Sequence, residues 1–394
     1  MQTSPIHIVH FHNGTGGGVL AVIQNLIRFS TNNMVVNHVI YTINKQQNPS
    51  FVKPSIPRAN SEKIFYYSTA NNFYHTCRQL AKLLPDDKAI IVAHDWLELG
   101  MVSNLGLQNP VVQIVHGNYA YYYQLAIGHS AVVDAYVCIS KKIGITLNKK
   151  LPIRNNDIFC LHFPVPVIEA DGKINVSLHL IYYVGNLKDS NKQFATIIAV
   201  ANELSTDAAN YFFTIAGGGM TTEEFFDLWP VSMKDRVDYK GQQTNEAIMA
   251  SLPMQDIFLL PSLAEGLPVS LVEAMKAGAV PVVTGWNGGV DELISSGTTG
   301  YYCKPGAIAE YVACIKKMQG NRKLLKELSD NCIQKANALF NPVNNTKQFE
   351  EVYFKIVAKK REKKVAKKVY GSRLDQPWLG NNITNTIRNR FKGK

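Results

Sequence analysis

Nowhere in this 394-residue sequence do apolar residues run on for anything near 18 positions, so no helix of membrane-spanning length is expected. Cysteine is sparse: the six are scattered, with no Cys-x-x-Cys and no Cys/His cluster, which disfavours structural zinc and fits a reducing compartment. The opening residues, MQTSPIHIVHF, hold neither a basic segment nor a long apolar one. No secretory leader is expected from them, and a cytoplasmic location is. No segment repeats at a fixed period. Net charge is +11, yet the body of the chain lacks it. Residues 355–394 hold 13 of the 41 basic residues and 2 of the 30 acidic ones, so the remainder is neutral. That argues against a basic face of the size nucleic-acid binding needs, and no nucleic-acid partner is expected.

Hydrophobic residues are plentiful, at 46%, enough for two ordinary domains with cores of their own. Short apolar runs alternate with helical patterns. In the first half the runs are His7–Phe11, His38–Ile43, Ala89–Ala93, Val111–Val115 and Ala135–Ile139, with helices expected over Val19–Phe29 and Asn72–Leu84. Two prolines break the segment Cys160–Val167, and the polar Asp171–Asn175 follows; the linker is expected here. The pattern then resumes with strands at Leu178–Val184, Tyr211–Ala216, Arg236–Tyr239, Asp256–Leu260, Val280–Thr284 and Gly300–Cys303. Helices are expected at Phe194–Leu204, Asn245–Ser251 and Pro342–Ala358. Buried strands separated by helices argue for parallel sheets, whose ligands sit beyond the carboxyl ends of the strands. The Gly14–Gly18 loop, His94, His116 and Ser140 all fall at such ends.

The chain is organised around Pro261–Met275, PSLAEGLPVSLVEAM. A strand enters it, Gly266 and Pro268 shape a loop, and a helix runs over Val269–Ala277 to a left-handed cap at Gly278. Pro268 suits the first helical turn. Glu265 precedes the helix, where unpaired N–H groups gather. Glu273, five residues past Pro268, lies about 7.5 Å down the axis from it, among Leu271, Val272, Ala274 and Met275. A carboxylate in apolar company needs partners, and a ribose diol offers two donors. The helix start would hold phosphate at the backbone of Gly266, Leu267, Pro268 and Val269. The plainer alternative is a capping carboxylate and one exposed helix glutamate.

These residues, with an E-G-L-P-x-S-L-x-E-A pattern and an E-x7-E spacing, resemble the retaining glycosyltransferases of family 4. The resemblance implies the α/β GT-B fold: two Rossmann-like doubly wound domains facing a cleft, with a C-terminal helix returning to the first. The domains would be 1–168 for the acceptor, 169–341 for the nucleotide-sugar donor, and 342–394 as the returning helix and basic tail. It implies transfer of a sugar from a nucleotide-sugar donor, UDP-linked, to a saccharide or lipid-linked saccharide acceptor in surface polysaccharide or lipopolysaccharide synthesis. Glu265 would meet the donor sugar and Glu273 the ribose. His116 would line the reacting face beside Glu265, and these two are the catalytic candidates. The resemblance also implies that Gly16, Gly17 and Gly18 line the donor site from the first domain; a tight turn is the plainer alternative. The loop fails the dinucleotide fingerprint at Val19 and the second strand ends without an acid, which argues against a nicotinamide site.

Gly185–Lys192 resembles the segment whose Arg and Lys clamp the diphosphate, but Asn186 stands where Arg is usual and Lys192 is one residue late. Lys188 and Lys192 are expected to share the clamp. Gly217–Gly219, Gly218 among them, would lie near the base, and Asn287–Gly289 with Asp291 and Glu292 would close the pocket. No Asp-x-Asp occurs, so neither a metal nor another cofactor is expected. His94 and Asp95 resemble another strand end of the family; His10 and His12 read as structural. The tyrosines Tyr119, Tyr121, Tyr122 and Tyr123 are either a sugar-stacking surface or a half-buried helix face. Lys359–Lys368 is either a helix with a basic face against an anionic membrane surface or a solvated helix end. Trp378, Ile383, Ile387 and Phe391 are expected to pack part of the tail. Two rival readings stay open: a glycoside hydrolase using the two carboxylates, and a non-catalytic protein of the same fold that binds sugar nucleotides.

Overall fold

Seven parallel strands form the first sheet of the computed structural model: β1 (Ile6–His12), β2 (Val35–Asn44), β3 (Ser61–Tyr67), β4 (Ile90–Ala93), β5 (Val111–Val115), β6 (Ala135–Cys138) and β7 (Ile158–Cys160). Their order is β3-β2-β1-β4-β5-β6-β7. A second parallel sheet holds β8 (Leu178–Asn186), β9 (Tyr211–Gly218), β10 (Val237–Gly241), β11 (Ile257–Leu260), β12 (Val280–Thr284) and β13 (Tyr301–Cys303), in the order β10-β9-β8-β11-β12-β13. Both are doubly wound Rossmann orders, reversing between β1 and β4 and between β8 and β11, where such sheets bind ligands. The structure describes residues 4–15, 17–49, 51–169, 177–207, 211–285, 288–360 and 362–392. Gly16, Asn287 and the expected linker residues 171–175 lie outside them.

The central strands read as continuous apolar runs because both faces are covered: every residue of β4, β5, β6, β11 and β12 is buried. The edge strands β3 and β7 have no such signature. β3, SEKIFYY, has one fully buried residue out of seven, and β7 has none.

Contacts divide the chain into two units, Met1–Leu161 with Val343–Lys394, and His162–Pro342. In the second, the helix Val269–Lys276 is tied to both chain ends of its unit. Lys276 Nζ donates to the carbonyls of Val165 at 2.7 Å and Phe340 at 2.8 Å, and the side chain is fully buried.

In the first unit, the helix Pro342–Ala358 buries Phe349, Val352, Tyr353 and Ile356, and Ser30 Oγ donates to its Glu350 Oε1 at 2.6 Å. Beyond it the described residues form neither a basic-faced helix nor a continued helix end. The described residues of 359–368 run without regular structure, held by single contacts. Lys364 is buried, its Nζ 2.6 Å from Asn109 O and 2.7 Å from Asp134 Oδ2, and Lys367 N donates to Ser103 O at 2.7 Å. Chain tied down in this way by its backbone cannot also close helical turns.

The tail does pack, but through polar groups. Trp378 is 79% and Ile383 54% exposed. Asn72 Nδ2 donates to the carbonyls of Gln376 and Leu379 at 2.9 and 2.6 Å, and Asp375 accepts from Phe73 N at 2.6 Å and Arg388 Nη2 at 2.7 Å. No described helix is long and apolar enough to cross a membrane.

Candidate functional site

β11 delivers the loop 261–267 to the carboxyl edge of the second sheet, directly beside the end of β8 at the switch point. Proline fixes the entry to the helix that follows. Pro268 is its N-cap, at φ −66° and ψ 126°, one position earlier than the first turn expected from sequence. Gly278 ends the helix at φ +86°, and a Cβ there would sit 2.8 Å from Ser329 Oγ.

Two loops are stitched together here. Asn191, after β8, donates from Nδ2 to Ala264 O at 2.8 Å and accepts at Oδ1 from Ala264 N at 2.9 Å. Leu263 N donates to Asn191 O at 2.9 Å. This fastening places Lys192 against Glu265, and Lys192 Nζ donates to Glu265 Oε1. Gly289 N in turn donates to Gly266 O at 2.7 Å, closing the loop from the other side. Leu267 and Val269 turn their side chains into the core, which leaves backbone as what they offer. Pro268 has no N–H to offer.

Glu273 is 1% exposed. Its Oε1 accepts from Asn245 Nδ2 at 2.9 Å. Burial raises its carboxyl to about 7, and the Asn245 contact pulls it down only in part. Asn245 also bonds the phenol of Tyr183, which burial and the nearby Glu273 push up to about 12. Asn245 was not singled out from sequence; its place at the start of a helix after β10 gave no signal.

The two lysines expected to share the clamp are each paired with a carboxylate, Lys192 with Glu265 and Lys188 with Glu224. Lys188 is drawn to Glu224, 2.8 Å away, with both side chains about half exposed. Asn186 is exposed but its side chain is engaged locally: its Oδ1 accepts from Lys188 N at 2.9 Å and occupies the space a Cβ on Gly219 would need. Gly219 has φ +93°. Gly217 and Gly218 are tight as well, with Val184 O and Gln242 Oε1 lying 2.9 and 3.0 Å from where their Cβ atoms would be. In the closing segment, Glu292 Oε2 pairs with His162 Nε2 at 2.9 Å.

His116, Gly17 and Gly18 belong to the first unit. Gly17 caps the helix Gly18–Arg28 at φ 120°, without a side-chain bond. His116 follows β5. Its Nε2 lies 2.8 Å from His94 Nδ1, and His94 Nε2 lies 3.3 Å from His10 Nδ1. His10 is therefore no isolated core histidine but the buried end of a row that reaches His116. Beside it, Asp95 accepts from Asn13 Nδ2 at 3.1 Å and from the Tyr121 hydroxyl, and Tyr122 packs its ring 6.1 Å from that of His116. Tyr119 and Tyr121 are partly exposed and Tyr123 is buried, so only part of the tyrosine cluster faces outward.

Residues 164–337 match the profile of the family described as glycosyl transferases group 1. The chain is 27% identical over 153 residues to alpha-D-kanosaminyltransferase of Streptomyces kanamyceticus, covering 39% of each protein. It is 26% identical over 163 residues to the UDP-Gal:alpha-D-GlcNAc-diphosphoundecaprenol alpha-1,3-galactosyltransferase of Escherichia coli, covering 41% of this chain and 40% of that one. The matches thus span about two-fifths of these curated relatives. The fold is similar to that of Anabaena Alr3699/HepE in complex with UDP-glucose, at TM-score 0.68 and 14% identity, over 89% of this chain and all of that one. The two doubly wound sheets are those of the GT-B class. The family match thus takes in nearly the whole of the second unit, His162–Pro342, and it is this part of the chain that is similar to the glycosyl transferases group 1 family.

Proposed function

We propose that the protein is a retaining glycosyltransferase that moves a sugar from a UDP-linked donor to a hydroxyl of a saccharide or lipid-linked acceptor, in polysaccharide synthesis. The observation that carries this is Glu273: a carboxyl buried at the switch-point helix of the second unit, held by one asparagine and raised to about 7. Such a group gains from a ligand that donates two hydroxyls, as a ribose does. The E. coli relative is named for a UDP-Gal donor and a diphosphoundecaprenol acceptor, and the Anabaena structure is in complex with UDP-glucose, which favours the same classes here.

In this reading the acceptor oxygen attacks the anomeric carbon on the face from which the diphosphate leaves. The bond from that carbon to the diphosphate oxygen breaks as the new glycosidic bond forms. The acceptor's proton passes to the departing diphosphate. Lys192 and the N–H groups of Gly266 and Leu267 offset the developing charge, Glu265 orients the sugar, and His116 lines the reacting carbon. Gly17, Gly18 and Gly218 admit the ligand by lacking side chains. The exposed lysines Lys360, Lys363 and Lys367, with Val365 beside them, form the contact to an anionic membrane surface in place of the expected helix.

The test is a panel of sugar nucleotides scored by released nucleoside diphosphate, with calorimetry of UDP on the parent and on Glu273→Gln. Turnover of at least one donor, and UDP binding weakened by the substitution, are expected. A second reading, a sugar-nucleotide binder without turnover, draws on Lys188 being held by Glu224 and on Asn186 Oδ1 being engaged by Lys188 N. UDP binding with no turnover across the panel would decide for it.

A further inference from the structure

The geometry points to His94 as a positioning residue for His116, one that ties the tautomer of the His116 ring to the buried row behind it. What His116 then does with a ligand rests on the reading above; the positioning itself does not.

Three adjacent strands bring the rings into one row. His10 lies on β1, His94 directly follows β4, and His116 directly follows β5. His10 is 1% and His94 4% exposed, while His116 is partly exposed at the carboxyl edge. The row therefore climbs from the core to the edge where ligands bind. The His94 and His116 rings stack with centroids 5.1 Å apart and planes 24° from parallel. The Tyr122 ring lies 6.1 Å from that of His116, tilted 56° to it.

All three imidazoles are held neutral at pH 7. Burial pushes His10 down to about 3. Burial and then the neighbouring His116, His10 and His12 push His94 well below its ordinary value. Burial and then His12 push His116 to about 3. A neutral imidazole carries one N–H and one lone pair. Each of the two nitrogen–nitrogen contacts, at 2.8 and 3.3 Å, can hold one proton between its rings. Two contacts in series through His94 thus force a common direction of donation. In either direction Nε2 of His116 is engaged by His94, so Nδ1 takes the complementary role: it carries the lone pair where Nε2 donates and the proton where Nε2 accepts. His12 stands outside the row, since its Nδ1 already accepts from Gly14 N at 3.1 Å. Tautomer control of this kind is what a partner on the far ring nitrogen does wherever a histidine must present one defined atom.

The experiment is side-chain nitrogen NMR of histidine-labelled protein, with kcat and UDP affinity on the same samples. The parent should show His116 neutral and in one tautomer from pH 5 to 8. His94→Phe keeps a ring but no partner; His116 should then average between tautomers, with kcat down on the order of 10–100-fold and the UDP dissociation constant within about twofold. His94→Gln, whose amide can reach Nε2, should restore the single tautomer and most of kcat. A single tautomer in His94→Phe would overturn the inference, as would a kcat loss that His94→Gln leaves in place. Should His94→Phe fail to fold, His10→Phe opens the far end of the row and must still loosen the His116 tautomer; an unchanged spectrum there sinks the idea. If the parent neither binds UDP nor turns over any donor, the donor reading falls, and the NMR comparison still decides the role of His94.

Discussion

Asn245, the first residue of its helix, donates from Nδ2 to Oε1 of Glu273 at 2.9 Å, onto a carboxyl that is 1% exposed. One neutral donor does not compensate burial, so the carboxyl rises from 4.5 to about 7. Between those values the folded chain binds a proton that the unfolded chain has lost, and stability falls as pH rises, by about 3 kcal/mol in all. Glu273→Gln should flatten that limb and raise the denaturant midpoint at pH 8, while weakening UDP by on the order of 10–100-fold. A diol donates best to the ionised acid, so UDP should bind the parent more tightly as pH passes through 7, with a proton released. Calorimetry in buffers of different ionisation enthalpy measures that proton; uptake on binding instead of release would contradict the assignment.

Glu265 and Lys192 are paired while Lys188 is held by Glu224 on the surface. The two lysines should therefore behave differently. Lys192→Met should weaken UDP by about tenfold, the loss of one charge-assisted contact. Lys188→Met should change it by less than about threefold, since an exposed pair contributes under about 1 kcal/mol. Glu265→Gln should lower kcat on the order of 100-fold with a much smaller change in UDP affinity. Equal losses from the two lysine substitutions would restore the shared clamp and refute the asymmetry.

The second unit was the more legible in sequence because its signals are local. The run from Ile257 to Leu260, the turn at Gly266 and Pro268, and the stop at Gly278 each follow from residue type alone. What sequence could not supply were partners from elsewhere in the chain. Asn245 meets Glu273 across 28 residues, and His10 meets His94 across 84. Asn186 looked like a missing arginine, whereas it fills a gap above Gly219 that only a folded β8–β9 pair creates. The tail misled for the same reason. Its basic run suggested a helix, but Lys364 is matched to Asp134 and Asn109, which pattern reading does not bring near it.

Lys276 carries the position of the Glu273 helix, and that can be measured. Burial lowers its ammonium from 10.5 to about 8. Between those values the unfolded chain binds the extra proton, so stability should rise with pH there. Lys276→Met removes that limb and leaves the carbonyls of Val165 and Phe340 without their donor. A loss of about 2 kcal/mol or more at pH 7 is expected in urea unfolding. An unchanged midpoint would show the two carbonyls to be satisfied without the lysine.

Asp375 does for the first unit what Lys276 does for the second. Its Oδ1 accepts from Phe73 N at 2.6 Å, at the start of the helix Phe73–Ala81, and its Oδ2 takes Arg388 Nη2 at 2.7 Å. Burial pushes the carboxyl up, but the N–H groups of Phe73 and Ser372 and the Arg388 guanidinium outweigh it and hold it below its ordinary value. Its contribution is therefore complete above about pH 4 and is lost as pH falls through the lowered value. Gly371 approaches so closely, at φ +105°, that a Cβ would sit 2.9 Å from Asp375 Oδ2. Asp375→Ala should then destabilise by about 3 kcal/mol at pH 7, because it strands the Arg388 charge and the Phe73 N–H together. Gly371→Ala should destabilise too, through backbone strain. The Asp375→Ala loss should shrink as pH falls through the lowered carboxyl value, where the parent gives up the same interaction, whereas the Gly371→Ala loss, being backbone strain, should persist. Denaturant unfolding of the three proteins at pH 7 and pH 3 measures it. A penalty for Asp375→Ala that is as large in acid as at neutrality would mean that the carboxylate charge is not what fastens the tail.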